Sequence, residues 1–149
     1  KRFIGILPYI STRMSYIIYT DGSCMPNPGP MGSAYVILDE NRNKLHEGSV
    51  GAPLGTNNQA EYIAVVAAIE KLKTLGPTSV TVYSDSQLVI NQIAGKWKVN
   101  KADLRVYRDF IVSELSEMGV VSEFVHVRAH RGDHFNEYVD QLAKAACPV

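Results

Sequence analysis

A chain of 149 residues with 46% hydrophobic content has the length of one compact domain and can bury a core without disulfide staples. Its 15 basic and 15 acidic residues cancel, which excludes recruitment of nucleic acid or anionic membrane by a global field and leaves any such partner to a local patch. Cys24 and Cys147 are the only cysteines and stand in neither a CxxC nor a zinc-like spacing with the four histidines, so a disulfide framework is excluded and a reducing compartment favoured.

Lys1 to Arg13 differs from the rest of the chain, with basic ends and Pro8 ahead of a Met14 that could initiate the chain, and it reads as an N-terminal extension outside the fold. Tyr16 to Thr20 is a short apolar run suited to a strand covered on both faces, stopping at Asp21-Gly22-Ser23. Gly32 to Leu38 and Lys44 to Val50 flank a polar turn at Glu40 to Asn43 and complete an antiparallel meander, followed by a loop around Pro53 and Gly55. Thr56 with Gln59 forms a capping-box pattern that opens a helix running to Leu75 before Gly76-Pro77.

Ser79 to Ser84 is a fourth strand, Gln87 to Ala94 a short helix, Asp103 to Met118 a longer one ended by Gly119, and Glu123 to Val127 a fifth strand. A polar loop at His130 to His134 leads to a last helix over Phe135 to Ala146. Apolar runs such as Tyr62 to Ile69 are short, and no positively flanked apolar leader opens the chain, so the expectation is a soluble, cytoplasmic protein, monomeric by default. The element order predicts an α/β fold with a five-stranded mixed sheet, in which strands one and four are parallel neighbours and ligands belong at their carboxyl ends.

That topology places Asp21 and Asp85 side by side. Either could be a turn or cap residue alone, and Ser86 can cap the following helix as well as Asp85 can, but two acids in register repel without a cation between them. Glu61 is sharper: helical spacing puts it on the stripe of Val65, Ala68, Ile69 and Leu72, where a solvated charge does not belong. Asp140 lies beside the Val139, Leu142, Ala143 and Ala146 stripe, with Glu137 and Asp133 as rivals for a fourth place. Clustered carboxylates in such positions need a shared cation. Two cations held by oxygen ligands suit phosphodiester hydrolysis, and neither a zinc cluster, a phosphate-binding glycine loop nor a serine elbow is present. Magnesium is the default ion.

At these residues the chain resembles type 1 ribonuclease H, the ribonuclease HI family. Thr20-Asp21-Gly22-Ser23-Cys24 with Asn27-Pro28-Gly29-Pro30 is similar to its opening motif, Thr56-Asn57-Asn58 through Glu61 to its helix motif, and Ser84-Asp85-Ser86 to its third. His130 through Asp140, with Gly132 and Asn136, is similar to its closing loop and helix. The four motifs in order span nearly all of residues 15 to 146.

The resemblance implies the ribonuclease H-like fold, one catalytic domain over residues 14 to 147, and hydrolysis of the RNA strand of RNA–DNA hybrids without sequence preference, leaving 3′-hydroxyl and 5′-phosphate ends. It implies Asp21, Glu61, Asp85 and Asp140 as ligands of two Mg2+ or Mn2+ ions, choosing Asp140 over Glu137. It further implies His130 in proton transfer or product release, Asn27, Asn57 and Asn58 along the minor groove, and Thr56 with Asn100 at a DNA-strand phosphate. Lys96, Lys98, Lys101, Arg105 and Arg108, with Trp97 interleaved and only Asp103 opposing them, supply the local basic patch that net charge lacks. The chain departs from well-known bacterial members in passing directly from Gly95 to Asn100, where they insert a longer basic protrusion. A catalytically silent hybrid-binding module and a related nuclease or polynucleotidyl transferase are the alternative readings on the same scaffold.

Overall fold

The computed structural model describes residues 14–128 and 133–148. His130 and the Lys1 to Arg13 extension lie outside the described residues. Five strands, β1 (Ser15–Cys24), β2 (Gly29–Asp39), β3 (Lys44–Gly55), β4 (Ser79–Ser84) and β5 (Val121–His126), form one mixed sheet in the order β3-β2-β1-β4-β5. The β1-β2-β3 meander is antiparallel, and β4 and β5 join parallel to β1. Among the described residues four α-helices complete the fold: α1 (Asn57–Leu72), α2 (Gln87–Ile93), α3 (Ala102–Met118) and α4 (His134–Ala146).

Burial on both faces explains the unbroken apolar run of β1. Ile18 packs with Val80, Val82 and Ile37 beneath the α1 residues Tyr62, Val65, Ala68, Ile69 and Leu72, with Ile111 and Leu115 of α3 completing that layer. Tyr19 points the other way and packs with Ala34, Val36 and Leu38 against Val139 and Ala143 of α4. Strand alternation thus divides consecutive residues of one strand between two cores.

The expected helix ends are realised by the chemistry that predicts them. Thr56 accepts a hydrogen bond from the Gln59 amide while the Gln59 side chain accepts one from the Thr56 amide, a complete capping box. Ser86, rather than Asp85, caps α2, and Gly119 ends α3 in the left-handed conformation.

Several boundaries differ from the sequence reading, among them the starts of β2 and β5, at Gly29 and Val121 rather than Gly32 and Glu123. β1 does not stop at Asp21-Gly22-Ser23 but continues to Cys24, because β2 goes on supplying antiparallel partners as far as Cys24 opposite Met31. β3 likewise runs through Pro53 to Gly55, where a loop was expected, since it remains paired to β2 at Gly29. α1 proper ends at Leu72, and Lys73–Leu75 tighten into a 3₁₀ turn before the left-handed Gly76.

Candidate active site

The parallel pairing of β1 with β4 ends at Thr20 opposite Ser84. Asp21 and Asp85 are the residues that follow this last pair, so the two carboxylates emerge together at the carboxyl end of the parallel pair, where open α/β sheets bind ligands. α1 crosses above them. A Cβ on Gly22 would stand 2.4 Å from the Ala60 carbonyl carbon and 2.4 Å from the Glu61 nitrogen, so strand and helix meet backbone to backbone only because residue 22 has no side chain. Ser33 on β2 donates to the Ala60 carbonyl at 2.6 Å, and the Gly22 amide donates to Glu61 Oε1 at 3.0 Å and to Asp21 Oδ1 at 2.8 Å.

Carboxylate oxygens of Asp21, Glu61 and Asp85 consequently lie within 4.8 Å of one another. Asp21 is buried, at 3% exposed, and the other two are half-buried. Burial, then the neighbouring charge of Asp85, then contact with Asp140 push the Asp21 carboxyl up to about 9. Burial followed by the charges of Asp21 and Asp85 also holds Glu61 well above the usual carboxylate range. Asp140, half-buried on α4, is not one of the three converging carboxylates; it lies near enough to raise the Asp21 carboxyl, and its own carboxylate is paired to Lys144 at 3.1 Å.

A set of oxygen donors that resist sharing charge but converge on one point fits a hard divalent cation, whose charge would relieve their repulsion. Of the rivals for the fourth position, Glu137 is exposed on α4. Asp133 is committed elsewhere, capping α4 through the amides of Phe135 and Asn136 and accepting from the Tyr19 hydroxyl at 2.8 Å. His126, which the sequence did not single out, stands at the end of β5 with its Nε2 3.2 Å from the Asp85 carbonyl oxygen. Its only sequence signal is a place at the end of a strand parallel to β4.

Two polar hollows lie apart from the acids. Asn27, Thr56, Asn58 and Lys101 line one of about 210 Å³ together with Asp103 and Leu104. Asn27 Oδ1 accepts the Asn57 amide at 3.1 Å, fastening the β1–β2 loop to the start of α1. Lys96, Trp97, Lys98 and Asn100 line the second, of about 450 Å³, with Arg105 and Arg108. Asn100 lines the basic hollow, next in sequence to Lys101 of the first, and the Arg105 guanidinium donates to the Val99 and Asn100 carbonyls.

Residues 13–148 match the RNase H family. The chain belongs to the RNase H family. It is 37% identical over 146 residues to the ribonuclease H of Trichodesmium erythraeum, covering 90% of this chain and 89% of that one. It is 40% identical over 141 residues to the ribonuclease H of Syntrophus aciditrophicus, covering 87% and 79%. Among solved structures, RNase H1 of the halophilic archaeon Halobacterium salinarum superposes with a TM-score of 0.80 at 34% identity, covering 89% of this chain and 96% of that one. LC11-RNase H1, isolated from compost by a metagenomic approach and solved in complex with an RNA/DNA hybrid, gives 0.81 at 36% identity with the same coverage. In this RNase H, no helix among the described residues is long and apolar enough to cross a membrane.

Proposed function

We propose that this RNase H is a cytoplasmic endonuclease that hydrolyses the RNA strand of RNA–DNA hybrids without sequence preference, using Mg2+, or Mn2+ in its place, held by Asp21, Glu61, Asp85 and Asp140. The observation that carries this reading is the convergence of three carboxylates within 4.8 Å at the carboxyl end of two parallel strands, in a chain of the RNase H family. Asp21, Glu61, Asp85 and Asp140 would hold two divalent ions, whose chemistry when bound would be to polarise a phosphate and lower the pKa of water.

The chain's own residues do the rest. Hydrolysis forms a bond from the water oxygen to phosphorus and breaks the bond from phosphorus to the 3′-oxygen, which takes a proton. The histidine side chain titrates near neutrality in its unperturbed form, and His130, by its place in the family's motif, is the residue for that proton traffic. Asn27, Asn57 and Asn58 offer amide donors and acceptors to 2′-hydroxyls along a wide minor groove. Thr56 and Lys101, from one hollow, and Lys96, Trp97, Lys98 and Asn100, from the other, bind the phosphates and stack on the sugar–base edge of the DNA strand. Residues 14–147 act as one monomeric catalytic domain, with Lys1 to Arg13 an appendage to it.

Cleavage of a uniformly labelled hybrid, of duplex DNA and of duplex RNA, each in Mg2+ and in EDTA, tests this reading. Fragments ending in 3′-hydroxyls from the RNA of the hybrid alone, in Mg2+ alone, are expected. Binding of hybrid without cleavage, or cutting of duplex DNA, would overturn it.

The basic hollow carries its own prediction. Lys96→Ala with Lys98→Ala should raise KM for the hybrid while leaving kcat within about twofold, and should lower the slope of log KM against log salt by roughly one per cation removed. A steady-state series at several KCl concentrations measures both, and an unchanged slope would remove these lysines from the interface.

A further inference from the structure

α4 rests on the sheet face opposite α1, and its two ends are held by different means. At its carboxyl end the helix backbone lies directly on the strands: a Cβ on Gly32 would stand 2.1 Å from the Ala143 carbonyl oxygen, and one on Gly51 2.0 Å from that of Ala146. At its amino end the contact is polar. The buried Tyr19 hydroxyl donates to Asp133 Oδ2 at 2.8 Å and accepts from Arg42 Nη2 at 2.7 Å. The guanidinium lies over the Tyr19 and Phe135 rings, and Tyr83 stacks on Tyr19 at 4.9 Å. The same Asp133 carboxylate caps α4 through its other oxygen.

Two features set this cluster apart from ordinary packing. Arg42 adopts a left-handed φ of 66°, unusual for a residue with a long side chain and sustained only where the surroundings hold it. Second, the spacing matches the acid site. Tyr19 and Asp21 are two apart on β1 and so share a face, while Asp140 lies seven residues, close to two helical turns, beyond Asp133, the N-cap of α4. α4 packs along β1, held at Asp133 by Tyr19, and Asp140 lies near enough to Asp21 to raise its carboxyl.

We propose that Tyr19, Arg42 and Asp133 form a positioning brace that sets the distance of the Asp140 carboxylate from Asp21, and with it the affinity of the site for divalent cations. The inference rests on the reading of Asp140 as a ligand. Lys144 already competes for that carboxylate, so an α4 freed at its amino end leaves Asp140 with its lysine rather than with the other acids. Outer groups that orient ligands are worth about tenfold or more in metal affinity.

Calorimetric titration of Mn2+ into the whole protein, alongside kinetics on a hybrid, tests the brace through Tyr19→Phe, which removes one oxygen and keeps the ring. Its Mn2+ dissociation constant is expected to rise about tenfold, with kcat falling at subsaturating ion, recovering at high ion, and KM for hybrid unchanged. Arg42→Ala should act in the same direction. Tyr138→Phe, which removes the comparable hydroxyl bond from α4 to Glu47, should leave ion binding unchanged. Asp140→Asn separates the two readings: weakened Mn2+ binding there together with wild-type binding by Tyr19→Phe overturns the brace alone, whereas wild-type binding by Asp140→Asn overturns the ligand assignment and the brace with it. A Tyr19→Phe protein that melts lower but binds Mn2+ normally also counts against the proposal.

Discussion

Asp21→Asn is expected to abolish cleavage of an RNA–DNA hybrid in Mg2+, by on the order of a thousandfold or more, while raising the melting temperature of the metal-free protein. The two effects have one cause. Asp21 is buried at the centre of the cluster, where burial, Asp85 and Asp140 push its carboxyl up to about 9 from an ordinary 3.8. A carboxyl whose pKa is raised by folding holds a proton that the unfolded chain has already lost. The stability it confers is fully present below about pH 4 and drains away as pH rises towards 9, by about 1.4 kcal/mol per pH unit for one such group. Glu61, raised in the same direction, adds to the slope. Asn carries no titratable proton, so Asp21→Asn should gain on the wild type progressively over pH 4 to 9 in EDTA. A divalent cation displaces the protons and reverses the ranking: Mg2+ should stabilise the wild type and leave the variant nearly unmoved. Melting curves of both proteins across that range, with and without Mg2+, check this. Parallel curves in EDTA would mean that the cluster is not held in repulsion.

The second large effect is at a residue with no side chain. Gly22→Ala would place a methyl group 2.4 Å from two backbone atoms of α1, neither of which can swing aside as a side chain does. The helix must lift from β1 or the strand must bend, at a cost of about 3 kcal/mol or more, and the hydrogen bond from the Gly22 amide to Glu61 would be lost with the approach. Both cooperative stability and cleavage should fall together, in contrast to Asp21→Asn, where they separate. Urea denaturation and hybrid cleavage of the purified variant measure the pair. Wild-type stability would show that β1 and α1 do not touch as described.

Much of this was legible before any coordinates, and for definable reasons. The parallel placement of β1 and β4 follows from connection rules, and with it the pairing of Asp21 and Asp85. Glu61 betrayed itself as a charge on the apolar stripe of α1, every other member of which is fully buried. Strand ends were read short because Asp-Gly and Pro signal turns locally, while the antiparallel partner β2 extends far enough to keep both β1 and β3 in the sheet. The resemblance, not the spacing, favoured Asp140 over Glu137; in the fold Glu137 is exposed, while Asp140 is half-buried and near enough to Asp21 to raise its carboxyl. The brace of Tyr19, Arg42 and Asp133 was illegible, since its members come from a strand, a hairpin turn and a helix cap, 23 and 114 residues apart from Tyr19 in sequence, and no local pattern joins them. The close approaches at Gly32 and Gly51 were hidden in the same way, because a glycine in a strand announces a near neighbour without naming it.

Anomalous diffraction from a crystal soaked in Mn2+ goes straight to whether these acids hold a divalent ion. The expected result is a peak about 2.1 Å from carboxylate oxygens of Asp21, Glu61 and Asp85, absent from a crystal of Asp21→Asn treated alike. A map with no peak among those carboxylates at saturating Mn2+, or the same peak surviving in Asp21→Asn, would contradict it.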